Sequence, residues 1–534
     1  MNGSEDNTSG IRKAARKSNN AGEDAIRQYM NNRVSRRAAM GTGAKVGIGV
    51  VVAAIAGVGI YEAYAASQGT STTSTTSSQQ TTTTSSQQTT SSQQATSSQQ
   101  TTSSQASSSN NLTFVHWSFE NAQITQYVKT FDTEFNYNTT EDVLDNNNYN
   151  PLIESLFATG TKVDMNYANG YEVPRLIDLG YCQDFTNFPN ISTIASEMYP
   201  TIVESLSTAA GVQYGLCYYW SNRPWCTVDD YNLNKTPLAG QRPVSWTDLW
   251  TQSGPAVVKA GVVQYPCMPN WFAANYGIGW DFMGEMQNAN NDPTGVHVLF
   301  NESFEPVFDT TGPAADLLTQ WASATKGGVV DPAVFSQASE SDTVAAGSTN
   351  NYAYVTTAFY DWQSLNEPST SNIPVGDSNL CPPTSQQAGW GQIETGVYCW
   401  PVKNNNATGA TEMISWFGYE DPTTGKRVTQ PEWAIEAALG SGFPDTLEDP
   451  NVIAGYQAWL GSRTTSVLNI VQQNTTAIGT PYAWKSLAFV PWLDTIYPVL
   501  GSVASGVLGV SAGLTTMLNV ANSQYNTYNG TSST

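Results

Sequence analysis

The chain of 534 residues is short of charge, with only 12% of it Asp, Glu, Lys or Arg. Basic residues are the scarcer kind, 22 against 44 acidic, and the formal charge is −22. That balance argues against a nucleic-acid surface, which needs Lys and Arg to displace phosphate counterions. It equally argues against wide contact with anionic headgroups. The low charge density does not fit a halophile surface; with so much Asn, Thr, Ser, Gln and Tyr, an acidic exterior medium that protonates carboxylates fits better. Histidine is nearly missing. His116 and His297 are the only two, so a zinc site or a histidine-based triad has almost nothing to draw on, and HExxH does not occur. No CxxC pair occurs either, which removes zinc-ribbon and thioredoxin-type chemistry. The six cysteines, Cys182, Cys217, Cys226, Cys267, Cys381 and Cys399, are an even set able to form three disulfides. Cys217–Cys226 and Cys381–Cys399 are the sequence-local expectations, with buried free thiols as the alternative.

What charge there is has a direction. Residues 1–45 hold nine Lys or Arg against four Asp or Glu, whereas the remainder holds thirteen against forty. Residues 46–66 then form one apolar run of Val, Ile, Ala and Gly, broken only by Glu62. Its length suits a membrane-crossing helix, and the basic flank, Arg27 to Lys45, places the carboxyl-terminal bulk outside. Two processing readings compete with an uncleaved anchor. Ser35-Arg36-Arg37-Ala38-Ala39-Met40 resembles a twin-arginine signal, and Ala63-Tyr64-Ala65 fits a signal-peptidase site. Residues 67–110 are almost wholly Ser, Thr and Gln, with repeats such as TTSSQQ. Nothing there can form a core, so this tract reads as an extended stalk, of a kind often O-glycosylated, with an r.m.s. reach of about 35–40 Å. Eight N-x-[ST] sequons follow the apolar run, at Asn111, Asn138, Asn190, Asn234, Asn301, Asn406, Asn474 and Asn529.

Residues 111–534 alternate strand and helix signals. Leu112 to Trp117 is a buried-strand run. Asn150-Pro151 supplies a helix cap and first-turn proline ahead of Leu152, Ile153, Leu156 and Phe157, with Gly160 as the stop. Lys162 to Met165 is the next strand expected, Pro174 to Leu179 a short helix, and Ile202 to Ala210 a third. Val212 to Trp220 follows as a strand. Ser245-Trp246-Thr247-Asp248 opens another helix in capping-box fashion. Near the end, Leu493, Ile496, Tyr497 and Leu500 mark one helix, and Val510, Leu514, Met517, Leu518 and Ala521 mark another; both read as core faces. Together these predict an α/β fold with a largely parallel sheet and ligand at the strand ends.

The order of these signals resembles extracellular solute-binding proteins of family 1, the maltose-binding-protein-like group, over roughly residues 112–525. Phe131-Asp132-Thr133-Glu134-Phe135 resembles the family's first helix end. Leu152 to Asp164 resembles its helix–Gly–strand–Asp element, and Gly180 to Phe188 its loop ending in Asp-Phe. Val212-Gln213-Tyr214-Gly215-Leu216 is similar to the crossover strand, with Cys217 where proline is usual. Pro243 to Leu249 resembles Pro-x-Thr-Trp-x-Glu-Leu, and Ala353 to Trp362 the strand and helix start bearing a stacking tryptophan. The basic run ahead of the apolar segment is also similar to the class III, pilin-like signals of archaeal sugar-binding proteins, although its leader is longer. The resemblance implies a two-lobed, periplasmic-binding-protein (type II-like) fold with a hinge. Lobe one would take about 112–220 and 404–450, and lobe two about 225–400 and 451–534. It implies transport, too: an ABC importer's substrate-binding component that delivers a sugar or oligosaccharide to permease subunits.

Sugar binding calls for aromatic faces against C–H patches and fixed polar groups for hydroxyls. All 16 tryptophans follow residue 110. By position, Trp117 and Glu120 follow the first strand, and Asp164 and Tyr167 the second. Tyr219 and Trp220 lie at the crossover, and Trp271 and Trp280 in the second lobe. Trp362 is the leading candidate by resemblance, followed by Trp400 and Trp416. No cofactor and no metal is called for. A glycoside hydrolase, needing two carboxylates about a scissile bond, and a surface-layer or adhesion protein are the alternatives.

Overall fold

A computed structural model of the protein describes residues 110–272, 277–290, 298–381, 392–477 and 481–529. The segments read as basic leader, apolar anchor and stalk, residues 1–45, 46–66 and 67–109, lie outside the described residues. Among the described residues no helix is long and apolar enough to cross a membrane.

The strands are β1 (Asn111–Trp117), β2 (Asn138–Leu144), β3 (Met165–Asn169), β4 (Cys182–Gln183) and β5 (Leu216–Arg223). They continue with β6 (Trp225–Asp229), β7 (Cys267–Met268), β8 (Tyr354–Thr357), β9 (Ser378–Leu380) and β10 (Gln392–Pro401). The helices that frame the site begin with α1 (Asn121–Phe135), α2 (Tyr149–Ala158), α3 (Pro200–Ser205), α4 (Gly277–Ala289) and α5 (Gly312–Lys326). Next come α6 (Glu340–Gly347), α7 (Asp361–Asn366), α8 (Thr429–Ala437) and α9 (Pro450–Leu460). The last three are α10 (Thr464–Ala477), α11 (Phe489–Ala504) and α12 (Val510–Asn529).

These elements build two sheets, one per lobe. The first has the order β2-β1-β3-β10-β4, with β5 also paired to β10; the second has the order β7-β8-β6-β9. β1 lies between two parallel neighbours and is buried from Phe114 to Trp117, which is why its sequence is an unbroken apolar run. The sheets are mixed rather than largely parallel. β10 runs antiparallel to β3, β4 and β5, and β6 runs antiparallel to β8 and β9. Strands that return through the hinge reverse direction, and helix–strand alternation alone does not reveal that.

Several expected boundaries shift for local reasons. α2 begins two residues earlier than expected, with Asn148 at the N-cap position but no side-chain cap bond; Asn150 lies inside the helix, its amide bonded to the Glu172 carboxylate. β3 starts at Met165 rather than Lys162, the preceding Asp164 being held in a separate hydrogen-bonded turn. α3 stops at Ser205, short of Ala210. A turn with Gly211 at φ +78° folds the chain back, and Tyr214 N–H donates to Leu206 O at 2.9 Å, so β5 begins only at Leu216. Ser245 caps its helix as expected, with Asp248 N–H donating to its hydroxyl at 3.0 Å, but the box does not close: the Asp248 carboxylate accepts from Val244 N–H at 2.9 Å rather than from Ser245. The final two helices pack on α4 and α5 and bury Leu493, Ile496, Leu500, Leu514, Met517 and Ala521.

The chain passes from the first sheet to the second at Arg223-Pro224, between β5 and β6. β10, expected in lobe two, belongs to the first sheet. α9 packs on both α8 and α7, so it sits at the junction. α4 lies across the hinge. A Cβ at Gly284 would stand 2.8 Å from Arg223 O and closer still to Pro224, so only glycine allows this approach.

All six cysteines are buried free thiols. The local pairings Cys217–Cys226 and Cys381–Cys399 are not formed, and each would join strands of different lobes. The thiol neighbours are Cys226 with Cys381 and Cys182 with Cys399. Of the sequons, Asn406 is buried and its side chain accepts from Gly409 N–H at 3.1 Å, while Asn111, Asn138, Asn190 and Asn234 are exposed.

Candidate ligand-binding cleft

Just past β1 the chain turns sharply at Glu120, an exposed residue in left-handed conformation at φ 45°. Its carbonyl receives Gln123 N–H at 3.0 Å and Ile124 N–H at 3.1 Å, which starts α1. The turn sets Phe119 between the lobes. Its ring centroid lies 6.3 Å from Trp433 on α8 and 6.4 Å from Tyr360, just ahead of α7. Tyr219 on β5 closes the ring of contacts, 6.0 Å from Tyr360. Behind them Tyr218 and Tyr127 meet Trp433 edge-on at 5.5 and 5.3 Å. These are aromatic rings from both lobes gathered at one seam, Phe119 and Tyr360 half-buried at its surface and Trp433 buried behind them.

Charge sits beneath the aromatics. Arg223, at the end of β5, is 1% exposed and grips Glu340 with two bonds, 2.5 and 2.8 Å long. Its Nε donates to Glu394 on β10, and a second guanidinium nitrogen to the Tyr360 hydroxyl. Tyr360 in turn donates to Glu340 at 2.9 Å, and the Asn270 amide does so at 3.0 Å. Two carboxylates, Glu340 and Glu394, therefore share one guanidinium, and Asp361 lies within its field. Burial pushes Asp361 well above the ordinary carboxylate range, Glu340 beside it pushes further up, and Arg223 only partly offsets both. Glu394 is also raised by burial, against the pull of Arg223. The Arg223 donors are taken up inside this network, so the seam presents a polyhydroxylated ligand with aromatic faces and the partly exposed Glu340 as acceptor.

Of the residues named from sequence, the structure brings Glu120 and Tyr219 to this seam. Trp117 packs 4.9 Å from Tyr167 and 5.3 Å from Tyr149, and Tyr167 stacks at 4.3 Å on Tyr218, so this pair backs the cleft wall. Asp164 is buried with its carboxylate filled by Thr113 N–H, Asn405 N–H, the Asn405 amide and Asn406 N–H, at 2.8–3.0 Å. It fastens β1 to the segment after β10. Trp220 donates to Ser441 O at 2.5 Å inside lobe one, and Trp416 meets Phe131 at 5.8 Å there. Trp271 packs on Trp250 and Trp321, and Trp280 on Trp484, both within the lobe-two core. Trp400, half-buried, meets Phe188 at 5.5 Å. Trp362 is fully buried. It donates to Ser378 Oγ at 3.0 Å and lies between Trp225 and Trp459, each 5.6 Å away.

Phe119, Trp433, Tyr360, Arg223 and Glu340 escaped the sequence reading. Phe119 and Tyr360 each lie within two residues of a named tryptophan, so position along the strand–helix junction was the usable signal. A hollow of about 350 Å³ between Trp250, Thr319, Gln320 and Val329 shares no residue with the seam. The string Gly509-Val510-Ser511-Ala512-Gly513 has the GxSxG spelling, but Ser511 is an exposed residue opening α12, with a helix rather than a strand before it. Among the described residues no group of three His, Cys, Asp or Glu is placed to hold a metal ion.

Solved structures decide the fold. Maltose-bound MalE3 of T. maritima is similar at a TM-score of 0.62 and 14% identity, covering 78% of this chain and 98% of its own. An ABC-transporter solute-binding protein from Agrobacterium vitis with bound D-mannitol gives 0.60 and 13%, with the same coverage. The cyclic alpha-maltosyl-1,6-maltose binding protein of Arthrobacter globiformis gives 0.56 and 14%, covering 78% of this chain and 99% of its own. This chain has the two-lobed solute-binding fold. No protein-family model and no curated protein matches it. Phe119, Trp433 and Tyr360 meet beside Arg223, where the chain passes from the first sheet to the second. These three neighbours are binding proteins, not enzymes.

Proposed function

We propose that the protein is the extracellular substrate-binding component of an ABC importer, taking a sugar or oligosaccharide between its lobes and passing it to permease subunits. The observation that carries this reading is the seam itself. Aromatic faces of both lobes meet there over one Arg–carboxylate network, in a fold whose neighbours were solved with maltose and D-mannitol. In this reading residues 46–66 anchor the chain, residues 67–110 form the stalk, and the folded part stands outside the cell. The archaeal type suggested by the leader belongs to the same proposal. Lobes of this kind close on their ligand by hinge motion, leaving it chemically unchanged.

Isothermal titration against maltose, longer malto-oligosaccharides, D-mannitol and ribitol tests the reading, with X-ray scattering of the same samples. A binder gives heat at about micromolar affinity, near −8 kcal/mol, and a smaller radius of gyration. Silence across the panel, with unchanged scattering, would sink it.

A further inference from the structure

We propose that Cys226 and Cys381 are a disulfide site, oxidised as the exported chain folds and lying wholly inside lobe two. The second sheet dictates the pairing. β6 and β9 run antiparallel with Thr227 opposite Leu380, so the next pair in register is Cys226 opposite Cys381. Cys381 N–H donates to Cys226 O at 3.0 Å, which continues the ladder by that one pair. Directly opposed residues of a hydrogen-bonded antiparallel pair share a face, with Cα atoms about 5.5 Å apart. Disulfides favour a Cα separation of about 5.5–6 Å, which this pair meets, and a Cβ separation of about 3.8 Å; opposed sheet Cβ atoms stand about 4.5–5.5 Å apart, so the bond draws the two strands together locally by roughly 1 Å. The two thiols are neighbours, and both residues are fully buried.

No other cysteine competes. Cys267 lies on β7, with β8 between it and β6, so two strand spacings, roughly 9.5 Å, separate it from Cys226. Cys217 belongs to the first sheet. Cys182 and Cys399 also touch, but Cys182 stands opposite Pro401. Cys399 is its diagonal neighbour, and diagonals lie about 7–8 Å apart, beyond the reach of an unstrained bridge. That pair stays reduced.

The location gives the bond a use. β9 has three residues and is the sheet edge, a position prone to fraying. Cys226 comes three residues after Arg223, where the chain enters lobe two, and Cys381 directly follows β9, the last strand of lobe two before β10 of the first sheet. The bond would tie both chain crossings to lobe two at that end, while no link spans the hinge.

The chemistry is thiol–disulfide exchange. One thiolate attacks the disulfide of an external oxidant, such as a thiol oxidoreductase or oxidised glutathione, and one oxidant sulfur leaves as a thiolate. The second cysteine displaces the other, so both electrons and both protons depart on the oxidant as two thiols. Burial pushes the Cys226 thiol up, so exchange belongs to folding, before the sheet closes over it.

The choice of oxidant rests on the extracellular reading; the register does not. The test therefore uses the full chain, unfolded and reduced, then refolded in a glutathione redox buffer. Alkylation in denaturant and peptide mapping should show four alkylated cysteines and one linked pair, Cys226 with Cys381. Reduction should lower the melting temperature by several degrees in the wild type and leave a Cys226→Ala, Cys381→Ala double variant unmoved. Six alkylated cysteines, or a linkage of any other pair in its place, would overturn the proposal. A maltose titration of the same refolded sample reports separately on sugar binding.

Discussion

The two lobes bury carboxylates in opposite ways. In lobe one, Asp164 is enclosed by four N–H donors. In lobe two, Asp281 and Glu285 stand one turn apart on α4, each 1% exposed. Asp281 accepts one bond, from Thr356 Oγ1 at 3.0 Å. Both Glu285 bonds, from Trp250 and Trp321 at 2.7 and 2.9 Å, fall on the same oxygen. Burial raises Asp281 to about 7 and carries Glu285 up too, with Asp281 adding repulsion. Lobe one surrounds its buried carboxylate with donors, whereas lobe two gives its pair few, and burial raises both. The contrast is not absolute, since Glu172 of lobe one is also raised by burial to about 7 despite its Asn150 and Asn169 partners.

The most forceful way to break the comparison is at the hinge, where the lobes share a cation. Replacing Arg223 by Met leaves Glu340, Glu394 and Asp361 without their guanidinium. Removing one partner of a buried ion pair costs about 3–5 kcal/mol, which urea unfolding at pH 7 would register. Stability unchanged within error would mean that the carboxylates are not held by Arg223.

Next comes pH. A carboxyl whose folded pKa is raised binds its proton more tightly folded than unfolded. Its contribution is therefore fully present below the unfolded value, near 4, and is lost as pH rises through the folded value. Asp229, raised by burial to about 6, Glu172 and Asp281, both about 7, set the window. Stability should fall between pH 4 and pH 8, in keeping with an acidic exterior. Asp281→Asn should remove on the order of 4 kcal/mol of that fall, gaining stability at pH 8 while changing little at pH 4. A profile that rises with pH over this range would refute the assignment of lobe two.

Lobe one answers differently. Asp164→Ala should strand four donors and lose about 1–3 kcal/mol, while sugar affinity in calorimetry stays within twofold. A large loss of affinity at full stability would restore Asp164 to the ligand. Phe119→Ala is the converse: a half-buried ring in the cleft, whose loss should weaken sugar binding about tenfold, near 1.4 kcal/mol, and hardly move the melting curve.

How far the sequence spoke follows the same physics. The α/β alternation, the closing helices and the solute-binding resemblance rest on local periodicity and on the order of motifs, and both survive in the fold. The strand directions through β10 depend on pairing between residues 166 and 399 or 223 and 392, which no local pattern encodes. The cleft failed for a related reason. Tryptophan count identifies large aromatic surface, but the fold spends Trp220, Trp271, Trp280, Trp362 and Trp416 on filling lobe interiors. The cleft is made by what the turn at Glu120 and the hinge at Arg223 bring together. Disulfide expectations likewise followed sequence nearness, whereas strand register sets which thiols meet.

The finest probe separates Trp362 from its near neighbour Tyr360. Both lie at the β8–α7 junction, yet the indole is enclosed by Trp225, Trp459 and Ser378, while the phenol faces Phe119 and Arg223. Trp362→Phe keeps most of the apolar contact and loses one hydrogen bond, so stability should drop by about 1 kcal/mol with sugar affinity unchanged. Tyr360→Phe keeps its ring but releases Arg223 and Glu340, so affinity should fall severalfold. If calorimetry returned the reverse pattern, with Trp362→Phe the variant that loses the sugar, the ligand would sit on the lobe-two side of Tyr360 and the cleft wall would have to be redrawn around Trp225 and Trp459.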